Sequence, residues 1–290
     1  MSLNSTLIAS AVLVVFTLLA IYLNRKLPKR SFKSYKLPLF LVMAGAVVFN
    51  TALLAYNTVH LNLKAESKGP VHWHTDIEFW ACGSEIELRD PTGLLSNKIG
   101  TSTYHEHNDK RIHLEGVVVS EKRDASLGKF MSVTGGYLQE DSIGIPLNED
   151  KSKWLATPEH QDGDKQSTAF QADMAKYVGD TDEGPVLQLY NSDYCGDQKG
   201  QVQAFVYHFD KASKTYTQEK LRDAARYVMR DESVVPPGDC VIVEFGEPKT
   251  TTDKICNQYG VRDAERCEQF GVKGYNPELC NIRKVETGAR

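Results

Sequence analysis

The first 57 residues contain neither aspartate nor glutamate, although the 290-residue chain has 38 acidic residues against 34 basic ones. Six of the basic residues fall in that segment, so residues 58–290 carry a balance of −10. Such a domain lacks the basic footprint of a nucleic-acid binder, and no nucleic-acid partner is expected. No C-x-x-C occurs among the six cysteines, which removes a zinc ribbon and a thioredoxin-like redox motif. No H-E-x-x-H or G-x-S-x-G is present, so no sequence signature of a metalloprotease or a serine nucleophile supports an enzyme. The Asp-rich stretches Asp162-Gly163-Asp164 and 179–184 miss the spacing of a calcium loop and read as solvated loops. The first apolar run also lacks the basic residues that precede a cleaved signal, and it reads instead as an anchor.

What is present at the start is apolar length. Leu7 to Leu23 is interrupted only by Ser10 and Thr17, and Leu37 to Tyr56 has Asn50 as its most polar member. Each run is long enough for a bilayer core of ~30 Å, so residues 1–57 read as a transmembrane helical hairpin. Residues 24–36 between the runs hold all six of the basic residues, which the positive-inside rule assigns to the cytoplasm. Both termini and residues 58–290 are then expected outside, tethered to the lipid bilayer. All six cysteines (82, 195, 240, 256, 267 and 280) lie in that outer part, an even number consistent with three disulfides. Their pairing is open, since six cysteines allow 15 connectivities.

Five of the eight histidines lie between His72 and His113. In His72-Trp73-His74-Thr75-Asp76-Ile77-Glu78, read as a strand, His72, His74, Asp76 and Glu78 share one face and the apolar residues the other. In His105-Glu106-His107-Asn108-Asp109-Lys110-Arg111-Ile112-His113-Leu114-Glu115, a three-residue turn at Asn108-Asp109-Lys110 puts His105 opposite His113 and His107 opposite Arg111. A two-residue turn would send His113 to the other face. Imidazoles at these spacings can converge on a metal at ~2.0–2.1 Å. Nitrogen-rich ligation favours copper, zinc or nickel over magnesium and calcium. The expected metal set is His72, His74, His105, His107, His113, Asp76 and Glu115. Asp76, Glu78 and Glu115 serve either as ligands or as acceptors for the far ring N–H.

The remainder reads as an α+β protein. Residues 58–147 form a His-rich β domain, with residues 58–71 as a short tether and Leu127–Val133 as a short helix or turn. Residues 148–184 form a polar insert with one helix, its apolar positions Phe170, Met174, Tyr177 and Val178 closed by Gly179. Residues 185–247 form a β-β-α-β, grasp-like sheet domain, whose helix spans Thr217 to Arg230 on the stripe Leu221, Ala224, Ala225 and Val228. His208 reads as structural there. Residues 248–290 form a helical tail stapled by cysteines.

The stretches HWHTDIEFWACG, HEHNDKRIHLEG, DASLGKF and PPGDCVIVEFG resemble a poorly characterised family of membrane-tethered proteins from bacteria and archaea. The resemblance covers about residues 58–135 and 185–247; the 148–184 insert, the cysteine-bearing tail and HEHND in place of the commoner H-x-H-D depart from it. It implies an extracytoplasmic domain and the site residues His72, His74, His105, His107, His113 and Glu115, without an activity. His72-x-His74-x-x-x-Glu78 also echoes the first cupin motif, but the second is missing. Three readings follow. The first is an envelope protein that binds copper or zinc. The second is a metal-dependent enzyme with Glu78, Glu106 or Glu115 as base. The third is a non-catalytic subunit of an envelope complex, with structural histidines and membrane partners met at Gly45 or Asn50.

Overall fold

The computed structural model describes residues 3–26, 29–91, 97–156, 165–210, 215–230 and 238–256, arranged as two compact units, 1–68 and 69–290. The first unit holds α1 (Leu3–Lys26) and α2 (Lys29–Lys64). Among the described residues one helical stretch, Ser34–Lys64, is long and apolar enough to cross a membrane, and its large apolar side chains, such as Leu37, Phe40, Val48 and Phe49, are exposed. Asn50 donates to Ser10 Oγ at 3.3 Å, so the polar residue expected to meet a membrane partner joins the two helices to each other. Helix α2 runs through most of the expected tether, and only residues 65–69 separate it from the first strand.

The second unit is built on a large mixed sheet. Its strands are β1 (Pro70–Ala81), β2 (Ser84–Ile86), β3 (Ile99–Gly100), β4 (Tyr104–Glu106) and β5 (Arg111–Val118) from the first part of the chain. After a 3₁₀ turn comes α3 (Leu127–Val133), capped by Ser126 Oγ accepting from Lys129 N. A smaller sheet follows, in the order β6-β7-β9-β8, from β6 (Tyr137–Leu138), β7 (Ser142–Pro146), β8 (Val178–Thr181) and β9 (Gly184–Tyr190), with α4 (Lys165–Met174) between β7 and β8. A minor hairpin, β10 (Tyr194–Cys195) with β11 (Gln198–Lys199), precedes β12 (Gln201–Asp210), β13 (Thr215–Leu221) and β14 (Asp239–Gly246), which rejoin the large sheet. Its order is β13-β12-β14-β1-β5-β4-β3, with β2 also on β1.

The decisive pairing is β1 with β14. It is parallel, from Thr75↔Asp239 to Ala81↔Phe245, while β5 lies antiparallel on the other side of β1. The segments expected as separate domains, 58–147 and 185–247, therefore share one sheet, and a grasp-like β-β-α-β order is not seen among the described residues. β1 becomes a central strand, buried along both faces from Trp73 to Phe79. Its apolar side (Trp73, Ile77, Phe79) joins Val241, Val243, Ile112 and Leu114 in a core with Phe130 and Met131 of α3 and Ile143, Leu187 and Leu189 of the smaller sheet.

Its polar side needs a cover. Over β12 and β14 this is the segment 247–256: Gln218 Nε2 donates to Thr252 O at 2.8 Å, Tyr207 Oη to Lys254 O at 2.7 Å, and Lys249 Nζ to Glu244 Oε2 at 2.8 Å. The Cys240–Cys256 disulfide pins this strap, and Cys82–Cys195 joins the end of β1 to the minor hairpin. With partners 113 and 16 positions apart in sequence, loop closure contributes about 5 and about 3 kcal/mol respectively. Cys267 and Cys280, with the expected third disulfide and the helical turns of the tail, lie outside the described residues.

Two helix expectations are corrected. Residues 217–221 are strand, hydrogen-bonded in register with β12 from Ala204↔Leu221 to Asp210↔Thr215, and only Ala224–Arg226 makes a single 3₁₀ turn. The apolar spacing that suggested a helix has another cause: Leu127 N donates to Tyr227 O, Met229 N donates to Ala125 O, and Ala225 abuts Gly128, so residues 224–229 pack on α3. In the insert, α4 stops at Met174; Tyr177 belongs to a 3₁₀ turn, and Val178 and Gly179 open β8, which pairs with β9. The second Asp-rich stretch is thus mostly strand, and the first, 162–164, lies outside the described residues.

Asp239 anchors the start of β14. It accepts from Tyr227 Oη at 2.6 Å and from Arg230 Nε and Nη2 at 3.0 and 2.7 Å, and His208 Nδ1 lies 3.0 Å away. His208 therefore borders this cluster. Burial raises the Asp239 pKa, but His208, Arg230 and Tyr227 outweigh it and leave it below 3.8. The carboxylate thus contributes stability at neutral pH that is lost as pH falls through the folded-state value. Asp239→Asn should lower stability by about 3 kcal/mol at pH 7. The difference from the wild type should close below pH 3.8. All three tryptophans (73, 80 and 154) lie in the second unit, so urea unfolding followed by tryptophan fluorescence reads it directly.

Candidate metal centre

The hairpin β4–β5 takes the three-residue turn, with the ladder pairs Tyr104↔Leu114 and His105↔His113. Asn108 and Lys110 adopt positive φ (64° and 58°), which a three-residue turn requires here and which asparagine tolerates well. Glu106, pointing away from the histidines, holds the turn by accepting from Asp109 N at 2.5 Å and Lys110 N at 2.9 Å. Burial raises its pKa to about 7. On the other edge of β5, His74 pairs with His113 and His72 with Glu115. A bulge follows, absorbed by Gly116 at φ +65°. Both strands thus present their polar faces to the same side.

The result is a row of five imidazoles. Ring centroids are 4.7 Å apart for His72–His74, 4.8 Å for His74–His113, 5.5 Å for the parallel His105–His113 stack and 4.7 Å for His105–His107. Ligand atoms fall into two sets, each with its members within 4.8 Å of one another: His105, His107 and His113, and His72, His74 and Glu115. Glu115 Oε1 stands 3.1 Å from His72 Nε2, 3.7 Å from His74 Nε2 and 3.2 Å from His113 Nδ1. His105 Nε2 and His107 Nε2 are 3.1 Å apart, and His107 Nδ1 lies 3.1 Å from the carbonyl of Asn97.

Burial is uneven across the row. His72 has 45% of its side chain exposed, whereas His74 and His105 are 2% and 0% exposed. Neither ring nitrogen of His74 makes a hydrogen bond among the described residues, and neither does Nδ1 of His105. Buried polar atoms are nearly always paired, and leaving one unpaired costs about 1–3 kcal/mol. Burial, reinforced by His113, His72 and Arg111, lowers the His74 pKa to about 3; burial, with Lys98, His107 and His113, lowers His105 to about 4. Both rings are neutral at pH 7 and can offer lone pairs. For His113 burial acts downward too, but the carboxylates of Asp109 and Glu115 outweigh it and raise its pKa.

Six of the seven expected ligands lie in the two trios. Asp76 does not: its Oδ1 accepts from Arg111 Nε at 2.6 Å, and both side chains are 4% exposed, so it forms a buried ion pair beside the row. Glu78 accepts from Trp80 Nε1 at 3.1 Å. Asp109, read as a turn residue, also belongs to the site. Its Oδ1 accepts from Arg111 N, the usual local bond of a turn aspartate, while its Oδ2 lies 3.1 Å from His113 Nε2. The sequence signal was the position of Asp109 four residues before His113, across a turn that folds the chain back.

No protein-family model matches the chain, and neither a curated protein nor a solved structure matches it.

The row should titrate unevenly in the metal-free protein. Imidazole nitrogen shifts measured by NMR should show His74 and His105 still neutral at pH 5, and His113 protonating above the ordinary 6.5. Protonation of all five rings together near pH 6.5 would contradict the buried, coupled row.

Proposed function

We propose that this chain is a membrane-anchored, extracytoplasmic protein that holds copper or zinc on the histidine row. The observation that carries the reading is His74: a fully buried, neutral imidazole with neither nitrogen bonded, flanked by donors of the same kind. Such a ring is costly in an apoprotein, and a bound cation would take the lone pair of one of its nitrogens. An imidazole-dominated donor set suits copper or zinc and is poorly matched to magnesium or calcium. Asp109 is placed to orient His113 as an outer acceptor does for a ligating imidazole.

The anchoring part of the reading draws on the two apolar runs, the acid-free N-terminal segment and the basic residues 24–36 between the helices, which favour two spans with residues 69–290 outside. Two disulfides in that unit suit an oxidising compartment. The resemblance of HWHTDIEFWACG and HEHNDKRIHLEG to membrane-tethered extracytoplasmic proteins points the same way. Of the three carboxylates weighed as a catalytic base, Glu78 is engaged by Trp80 and Glu106 by the turn amides, leaving Glu115 within the donor set itself. A holding or delivering role fits this better than catalysis.

The test is elemental analysis of the full chain, purified in detergent from an oxidising compartment without a histidine tag. At least one copper or zinc per chain is expected. His72→Ala combined with His107→Ala, one accessible member from each trio, should weaken binding at least a hundredfold without changing the tryptophan emission of the folded unit. Absence of metal after incubation with both ions would refute the reading and favour structural histidines in an envelope complex.

A further inference from the structure

Two ligands on one ion at ~2.0–2.1 Å can be no more than about 4.2 Å apart. Each trio approaches that limit, with its three donor atoms within 4.8 Å, but the donors fall into two such sets and not into one set of six. The two sets adjoin. His74 of one and His113 of the other are ladder partners with ring centroids 4.8 Å apart, and Glu115 Oε1 reaches His113 Nδ1 at 3.2 Å while also facing His72 and His74. Each trio also contains its own buried imidazole with an unbonded nitrogen: His74 in one, His105 in the other.

We infer that the row is a two-ion centre, one transition-metal ion held by His72, His74 and Glu115 and a second by His105, His107 and His113, with Glu115 at their junction. The inference rests on the metal-binding reading above and adds its stoichiometry. Glu115 and Asp109 supply two carboxylates beside the five imidazoles, which offsets part of the repulsion between neighbouring cations. The two sites differ in access. His72 opens the first to solvent, whereas His105 lies at the closed end of the second.

The test uses the full chain in detergent, loaded with copper(II) alone, and the single variants His72→Ala and His107→Ala. These replace the more accessible member of each trio, so the packed rings His74, His105 and His113 stay in place. Wild type should bind two copper ions per chain with an electron paramagnetic resonance signal broadened by coupling between them. Each variant should keep one tightly bound ion, with an uncoupled signal, and the two signals should differ from one another. One ion in the wild type, lost in both variants, would overturn the two-ion centre while leaving metal binding intact. No ion in the wild type would overturn both.

Discussion

β1 is held in the middle of the sheet, with β14 parallel on one side and β5 antiparallel on the other, and both of its faces are covered from Trp73 to Phe79. Its alternate residues His74, Asp76 and Glu78 are nevertheless polar, so each must find a partner in the interior or carry a desolvation cost. Asp76 has Arg111 on Oδ1, its Oδ2 making no hydrogen bond among the described residues, and Glu78 has Trp80. His74 has other imidazoles and one distant carboxylate oxygen. The site lies where the polar pairing of this face is left incomplete.

The rest of the second unit can be understood as support for that face. The strap 247–256, pinned by Cys240–Cys256, covers its β12–β14 half with Thr252, Lys249 and Lys254. At the other half, the turn held by Glu106 and the bulge at Gly116 bring β4 and β5 to the same side as His72 and His74. Asp239 secures the start of β14 beside Thr75, one residue along β1 from His74. Rigid strands rather than loops therefore carry most of the donor atoms, an arrangement that fixes their geometry.

How much of this was legible in the sequence follows from how local each feature is. The alternation of β1, the three-residue turn and the His105↔His113 register depend on neighbours within a dozen residues, and the structure has them as read. The short helix at Leu127–Val133, preceded by a serine cap, is local as well. The parallel partnership of β1 with β14 spans more than 160 positions, and nothing in either strand announces it, so the burial of the polar face was not legible. The same distance effect misled the reading of Leu221, Ala224, Ala225 and Val228: their spacing fits a helix, but the register with β12 and the packing on α3 decide otherwise. Asp76 was assigned to the metal because it shares a face with His74; Arg111, its partner across the ladder, engages its Oδ1, and it falls in neither donor trio.

The most direct measurement is X-ray absorption at the metal edge of the copper- or zinc-loaded full chain, compared with the His74→Ala variant. The account predicts a first shell dominated by imidazole nitrogens near 2.0–2.1 Å, with the multiple-scattering pattern of intact rings, and fewer imidazoles per ion in the variant. A shell of oxygens alone, or one unchanged by removing His74, would contradict the claim that the unbonded ring at the centre of the sheet is a ligand.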